Sequence, residues 1–262
     1  MSYALRLSPE EQVRYRLMAE HARDTEGPEW TAAGIGPGAR LADIGCGPGA
    51  VLRVLAEAVG PTGAAHGVDQ DAGAVAVANG AVDGLGQASA RVGAAADSGL
   101  ELGTYDAVMC RHVLAHNGGR EAEIVEHLIA LARPGGAVVL VDVDGVASRT
   151  FPEDPDLADL NDRYREFQRA RGNDIIIGMK LGWYLEQAGL TLTAFRYTGA
   201  VVRMPPALRL PSWAARDAMA AAGLADAGDV ARWKRAYERV DRWEPRPWVH
   251  LVTFIAVGHR PA

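Results

Sequence analysis

Residues 43–50 read DIGCGPGA, and this glycine-rich stretch is the clearest indication of the fold of the chain. It overlaps the end of a short apolar run, residues 41–44, that has the length and composition of a buried β-strand. Closely spaced glycines let the chain turn sharply and let backbone N–H groups approach a ligand, and the first turn of a helix adds further unpaired N–H groups. The stretch therefore predicts a strand, a tight ligand-binding loop and a helix that begins near Ala50.

The segments that follow repeat this alternation. Strands are predicted at residues 64–68, 90–93, 105–110 and 137–142, with helices at residues 72–79 and 120–132. A later helix and two more strands are predicted at residues 174–188, 190–202 and 248–258. Strands that alternate with helices form a parallel sheet, and right-handed crossovers place helices on both of its faces. The sequence thus predicts a doubly wound α/β fold with a seven-stranded, mostly parallel sheet.

A chain of 262 residues suits one domain with additions. Residues 8–11 read SPEE, which resembles a capping box and predicts a helix up to about Ala22, so we expect residues 1–38 to cap the site. The core is expected over residues 39–262, with insertions at residues 145–171 and 204–248. Both insertions leave from the carboxyl ends of strands, where ligands bind in open α/β sheets, so they predict a helical lid.

Four tryptophans fall in or beside the second insertion: Trp213, Trp233, Trp243 and Trp248. Aromatic side chains at this place would suit a flat apolar ligand. They would also serve as the hydrophobic core of the lid itself, and for any single tryptophan this second interpretation is favoured.

Charge and composition exclude several classes of partner. A net charge of -6 gives no general attraction to nucleic acid or anionic lipid. The N-terminal residues lack the features of a secretory signal, and the most apolar runs are too short to span a bilayer. Cys46 and Cys110 form neither a disulfide framework nor a metal-ligand cluster. We therefore expect a cytoplasmic protein without nucleic-acid or membrane partners, and a homodimer stays open.

The glycine loop alone does not identify its ligand, because Gly45, Gly47 and Ala50 satisfy the dinucleotide pattern G-x-G-x-x-G/A. With Asp43 before it and Gly49 closing it, the segment resembles motif I of the class I S-adenosylmethionine-dependent methyltransferases, of the bacterial small-molecule type active in ubiquinone and menaquinone biosynthesis. That resemblance implies S-adenosylmethionine as cofactor and an antiparallel last strand beside strand five.

The resemblance also implies roles for the loop. Asp43 would hold the amino group of the methionine portion, directly or through water, and the loop around Gly45, Cys46 and Gly47 would lie against the cofactor. A carboxylate at the position of Asp43 suits an ammonium group and would repel a pyrophosphate.

Residues 67–71, GVDQD, resemble the second motif of the family. The resemblance implies that Asp69 binds both ribose hydroxyls, with Gln70 beside it against the cofactor. A carboxylate here would also suit NAD, so this position indicates a ribose without choosing the cofactor. Asp71 is predicted to be the N-cap of the next helix.

After strand three the chain departs from the family, which has an acidic residue where this sequence has Ala94. Two alternatives remain for the adenine: the Asp97 side chain reaches it, or the backbone N–H of Ala95 holds it. The family's cofactor also lies along the end of strand four, which implies contact with Arg111.

His112 and His116 follow strand four and are the candidate general bases, because imidazole has a suitable pKa. Alternatively, one of them packs or hydrogen-bonds within its loop. Asp142 and Asp144 are similar to ligands of metal-dependent relatives, but no third acidic ligand is apparent near the end of strand four. We therefore predict no metal.

The function predicted is transfer of the methyl group of S-adenosylmethionine to a small organic acceptor, for which a secondary metabolite is a candidate by analogy. The first alternative is an S-adenosylmethionine-binding protein with a non-methylating role, such as a cyclase, isomerase or regulator. The second alternative is an NAD-dependent oxidoreductase, which Asp43 and the expected terminal strand disfavour.

Overall fold

The computed structural model describes residues 9–206 and 208–262. Helices surround two β-sheets of different size. The α-helices are α1 (Pro9–Ala32), α2 (Ala50–Val59), α3 (Ala72–Ala81), α4 (Glu121–Leu131), α5 (Pro155–Ala170), α6 (Leu181–Gln187), α7 (Pro211–Ala214), α8 (Arg216–Ala221) and α9 (Ala227–Val240), with 3₁₀ turns at Leu114–His116 and Ile177–Lys180. None of these helices combines the length and apolar character that a membrane crossing requires.

The strands divide between a seven-stranded and a three-stranded sheet. They are β1 (Arg40–Ile44), β2 (Ala64–Asp69), β3 (Ala88–Val92), β4 (Tyr105–Arg111), β5 (Ala132–Val143), β6 (Arg149–Phe151), β7 (Thr191–Tyr197), β8 (Ala200–Arg203), β9 (Trp248–Leu251) and β10 (Thr253–His259). The larger sheet has the order β3-β2-β1-β4-β5-β10-β7, and β10 runs antiparallel to both of its neighbours. The predicted fold class, with its antiparallel last strand beside β5, is confirmed.

Alternate side chains of β1 enter two separate cores. Leu41 packs on the face covered by α1, α2 and α3, together with Leu52 and Leu55. Ile44 packs on the opposite face with residues of α4 and α6. Each fully buried leucine or isoleucine contributes roughly 1.5–3 kcal/mol. Burial on both faces suits β1 to the interior of the sheet, between β2 and β4, and its carboxyl end carries the glycine loop.

The two strands predicted at residues 190–202 and 248–258 are each divided in two. The chain leaves the large sheet after β7 and enters the small sheet at β8, and it makes the reverse passage at Val252, between β9 and β10. A Cβ at Gly199 would lie 2.0 Å from the carbonyl oxygen of Leu251, so the two chain segments cross closely there. The apolar pattern of the sequence predicts one continuous strand in each case, because it gives no sign of the point at which a strand passes from one sheet to the other.

The N-terminal helix is ten residues longer than the prediction to Ala22, since it continues to Ala32 through Pro28. Its buried face explains the extension, because Ala22 and Trp30 both pack in the core against α2. Ser8, the predicted N-cap, lies outside the described residues.

The two insertions pack together around a core of their own, and this unit, predicted to be a lid, is called the lid below. This lid core joins α5, α8, α9 and the small sheet, and its largest buried member is Trp233, which donates a 3.0 Å hydrogen bond to Asp159. Trp213 packs edge-on against Tyr237 in the same cluster, whereas Trp248 is 42% exposed beneath the guanidinium of Arg203. For Trp213 and Trp233, the structure favours the core interpretation over that of an acceptor wall.

Candidate functional site

The loop after β1 has a backbone that only glycine adopts readily. Gly45, Gly47 and Gly49 have φ angles of +81°, +52° and +80°. A Cβ at Gly45 would lie 2.2 Å from Val113, and one at Gly49 would lie 2.7 Å from the backbone of Ala78. At Gly47 the nearest atoms are those of the Tyr15 ring of α1, at 3.7 Å or more, so a Cβ there would make only ordinary van der Waals contact.

Asp43 is the last but one residue of β1 and is 2% exposed. Within the described part of the chain, its Oδ2 atom is buried without a hydrogen-bond partner. Burial raises the pKa of Asp43 to about 7, against the opposing effect of the Arg111 guanidinium. A buried carboxylate that lacks a donor fits a ligand that brings one, such as an ammonium group.

Asp69 ends β2, and its carboxylate faces the glycine loop. Its Oδ2 accepts a 2.9 Å hydrogen bond from the N–H of Gly47, and its Oδ1 accepts one of 2.9 Å from the N–H of Asp71. Burial raises the pKa of Asp69, and these two bonds oppose that rise. Asp71 accepts from the N–H groups of Gly73 and Ala74, so it is the N-cap of α3 as predicted. Gln70, between the two carboxylates, is exposed.

The two candidates for the adenine belong to one tight turn after β3. Ala94 and Asp97 exchange backbone hydrogen bonds of 3.1 Å in both directions, and Ala95 lies inside the turn. The Asp97 side chain is exposed and Ala95 is half-buried. Both alternatives for the adenine therefore remain predictions.

Arg111, at the end of β4, forms a buried ion pair with Glu26 of α1. Its Nη2 and Nε atoms lie 3.0 and 3.2 Å from Oε1 of Glu26, and the side chains are 8% and 1% exposed. The pair fastens the N-terminal helix over the carboxyl ends of β1 and β4. The guanidinium also lowers the pKa of Asp43, so its charge acts on the carboxyl end of β1.

His112 and His116 lie in the loop after β4, and Asp142 of β5 holds that loop. Asp142 accepts hydrogen bonds from the N–H groups of Ala115 and Val143, at 3.0 and 2.9 Å. His112 has a φ of +55°, uncommon outside glycine, and its Nδ1 lies 3.7 Å from Asp142 Oδ1. His112 thus combines a strained backbone with a side chain that faces a buried carboxylate.

The two imidazoles differ in environment. Burial, with help from Arg111, lowers the pKa of His112, while Asp142 opposes the change. Burial lowers the pKa of His116 to about 4, and its Nδ1 lies 3.4 Å from Nε2 of Gln168 on α5. Both rings are therefore neutral at physiological pH, and His116 connects the lid to the loop.

Sequence reasoning missed Glu26 and Gln168. A signal for Glu26 exists, because it lies four residues from both Ala22 and Trp30 and so shares the buried face of α1. A carboxylate on a buried helix face needs a partner, which the sequence does not identify. Across residues 9–206 and 208–262, no group of three or more His, Cys, Asp and Glu side chains is placed to hold a metal ion.

A sequence model of the methyltransferase domain family matches residues 41–136, which span β1 to the start of β5. Among curated proteins, the nocamycin O-methyltransferase of Saccharothrix syringae is 43% identical over 74 residues, which cover 28% of this chain and 26% of that protein. A transposon-encoded protein of Streptomyces fradiae is 33% identical over 108 residues, 41% of this chain and 31% of that protein. The matched parts thus span about a quarter and a third of these relatives.

The fold has solved counterparts over nearly its full length. A structure described as a SAM-dependent methyltransferase from Aquifex aeolicus covers 94% of this chain and 97% of its own, with a TM-score of 0.53 and 16% identity. Residues 41–136 thus resemble a methyltransferase domain, and the chain shares its fold and sheet order with solved methyltransferase structures.

Proposed function

We propose that this protein binds S-adenosylmethionine at the carboxyl ends of β1 and β2 and transfers its methyl group to a small organic acceptor. The observation that carries the proposal is the buried Asp43 carboxylate, whose Oδ2 lacks a hydrogen-bond partner among the described residues. It lies beside a loop of left-handed glycines, in which a Cβ at Gly45 or Gly49 would collide with its neighbours. A cofactor with an ammonium group supplies the donor that this carboxylate lacks.

Each cofactor-binding residue has a distinct task in this proposal. Asp43 holds the ammonium group, and the backbone of Gly45, Cys46 and Gly47 forms the wall against the methionine portion. Asp69 holds the ribose hydroxyls, exchanging its bond to the Gly47 N–H for bonds to the sugar. The turn at residues 94–97 borders the adenine, with Gln70 at its edge. Arg111 orders the site through Glu26 and Asp43.

Bound S-adenosylmethionine supplies an electrophilic methyl group on a positively charged sulfur. The protein's residues must then orient the acceptor and exclude water, which can supply much of the rate increase. The lid and α1 are placed to do this, because both border the loop after β4. The nocamycin O-methyltransferase relative favours a hydroxyl group of a secondary metabolite as the acceptor.

A hydroxyl acceptor must lose a proton, and His112 is our candidate for the base. Its imidazole is neutral because burial lowers its pKa, and Asp142 faces it across 3.7 Å and would stabilise the protonated ring. His116 is the weaker candidate, because a pKa of about 4 leaves it little affinity for a proton.

Calorimetry with S-adenosylmethionine, S-adenosylhomocysteine and NAD tests the cofactor, and release of S-adenosylhomocysteine with a panel of phenols, enols and amines tests the transfer. We expect both adenosyl compounds to bind and NAD not to bind. Binding of NAD alone would overturn the proposal in favour of an oxidoreductase. Tight adenosyl binding without transfer to any acceptor would favour a non-methylating role.

The base is tested separately with His112→Asn, since asparagine tolerates a positive φ. We expect kcat to fall by about 10²-fold or more with cofactor affinity unchanged. A variant that keeps the wild-type kcat and pH profile would remove His112 from the chemistry.

A further inference from the structure

A cavity of about 380 Å³ lies away from the proposed cofactor site, on the face of the large sheet that α4 and α6 cover elsewhere. Between β3 and β4 the chain forms a loop, residues 93–104, in place of a crossover helix. The outer strands of this face are therefore left without a covering helix. Their side chains there are polar: His66 and Ser89 are register partners in β2 and β3, and Arg91 follows two residues later.

Two guanidinium groups lie in the lining of the cavity. Arg40 begins β1, lies 5.0 Å from the centre of the Tyr105 ring, and has a buried Nε with no hydrogen-bond partner among residues 9–206 and 208–262. Arg91 donates a 2.9 Å hydrogen bond to the carbonyl oxygen of Gly99. The chain as a whole has a net charge of -6, so two arginines around one cavity make this place locally positive.

The carboxylate in the lining is weakly held. Glu101 lies 3.1 Å from Arg40, but the two side chains are 67% and 40% exposed. An exposed ion pair of this kind contributes little, about 0–1 kcal/mol, so an incoming anion can replace it. Arg40 then keeps its stacking on Tyr105, which is itself fixed by a 2.9 Å hydrogen bond to Nδ1 of His66.

We propose that this cavity binds a small organic anion, a carboxylate or a phosphate ester, through Arg40 and Arg91, with Ser89 and His66 completing its polar lining. The planar guanidinium fork matches both oxyanions. The volume lies within the range of small-molecule pockets and exceeds the needs of a bare inorganic ion.

This anion site is separate from the proposed methyl-transfer site. Arg40 precedes Asp43 by three residues on β1, which corresponds to about 10 Å along an extended strand. The anion site lies toward the amino end of β1, whereas Asp43 and Asp69 mark the carboxyl ends of their strands. The inference therefore does not depend on the proposed function.

The proposal is tested by titrating the protein with phenyl phosphate and with benzoate at low ionic strength. Calorimetry measures the affinity, and the NMR resonances of the His66 imidazole report binding at this cavity. We expect saturable binding of at least one probe, and the stronger of the two identifies the oxyanion class. Arg91→Gln should weaken that binding about tenfold or more. Arg53→Gln is the matched control, since Arg53 is an exposed arginine paired with Glu57 on α2.

Affinity for S-adenosylmethionine, measured on the same variants, should stay unchanged and reports that the fold is intact. Arg40→Gln provides a second, independent loss of the same binding. The absence of saturable binding by both probes would overturn the proposal. Equal binding by Arg91→Gln and Arg53→Gln would also overturn it, because the probe would then lie elsewhere.

Discussion

If Asp43 binds the cofactor as proposed, stability and cofactor binding oppose each other at this residue. Its pKa is about 7 in the folded protein, above the value of 3.8 for an unburied aspartate. The folded state therefore holds a proton that the unfolded state releases between these two values, and the free energy of unfolding falls as pH rises through that window. Above the window, the buried charge destabilises the ligand-free protein.

We predict that Asp43→Asn stabilises the ligand-free protein at pH 8 by about 1 kcal/mol or more, a rise in Tm of roughly 2–4 °C. The same change should weaken S-adenosylmethionine binding and remove its pH dependence, because binding requires the carboxylate form. In the wild type, affinity should rise up to about tenfold per pH unit as pH approaches 7 from below. Thermal melts and calorimetry at several pH values measure both effects, and a Tm that falls at pH 8 would contradict the argument.

A second prediction concerns a single residue, Asp69. We expect Asp69→Ala to weaken S-adenosylmethionine binding by at least about 1.5 kcal/mol, because charge-assisted hydrogen bonds to the ribose are lost. Asp71→Ala is the control: it removes the N-cap of α3 and should cost about 1 kcal/mol of stability with little loss of affinity. Calorimetry on both variants distinguishes ribose binding by Asp69 from local stabilisation by Asp71. Equal losses of affinity would show that Asp69 only supports the loop and does not bind the ribose.

Among the helices, strands and loops, the sequence correctly predicted the features that depend on residues close together in the chain. The glycine loop, the N-cap Asp71 and the strand-helix alternation up to β5 are readable because their causes lie within a few residues. The small sheet was not predictable, since it joins three distant segments and one of its strands, β6, has only three residues. The Glu26–Arg111 pair likewise joins positions 85 residues apart, so no local pattern connects them.

That ion pair gives the prediction for α1. We expect Glu26→Gln to leave the Arg111 charge unbalanced near Asp43, which should lower the pKa of Asp43 and move the pH dependence of cofactor binding to lower pH. It should also cost about 3 kcal/mol of stability, as loss of one partner of a buried pair does. Glu29→Gln, which breaks the more exposed pair of the same helix with Arg196, should leave the binding profile unchanged.

Calorimetric titrations with S-adenosylmethionine at several pH values show whether the Glu26–Arg111 pair influences the pKa of Asp43 or only stabilises the fold. If Glu26→Gln lowers stability but leaves the midpoint of the binding profile at the wild-type pH, the ion pair only anchors α1. The electrostatic connection between α1 and the cofactor region would then be wrong.

Within residues 9–206 and 208–262, the three largest hydrophobic cores lie in different parts of the molecule. Two cover the faces of the large sheet, and the third lies within the lid, around Trp233 and Tyr237. The residues proposed to hold the cofactor belong to the first half of the chain, whereas the lid reaches the site through Gln168 and His116. Cofactor binding and turnover should therefore respond differently when the lid alone is weakened.

Trp233→Phe weakens the lid alone, because the indole is fully buried in the lid core and donates to Asp159. We predict a loss of about 2 kcal/mol, from the missing hydrogen bond and the space left by the smaller ring, with faster amide exchange in α5 and α9 but not in β1 to β5. Cofactor affinity should stay within about threefold of the wild type while kcat falls, since a loosened lid admits water and positions the acceptor poorly. Trp183→Phe on α6, 56% exposed and outside the lid, should change none of these quantities. Faster exchange throughout the large sheet, or a cofactor affinity that falls in step with kcat, would mean that lid and sheet unfold as one unit and that the lid does more than cover the acceptor.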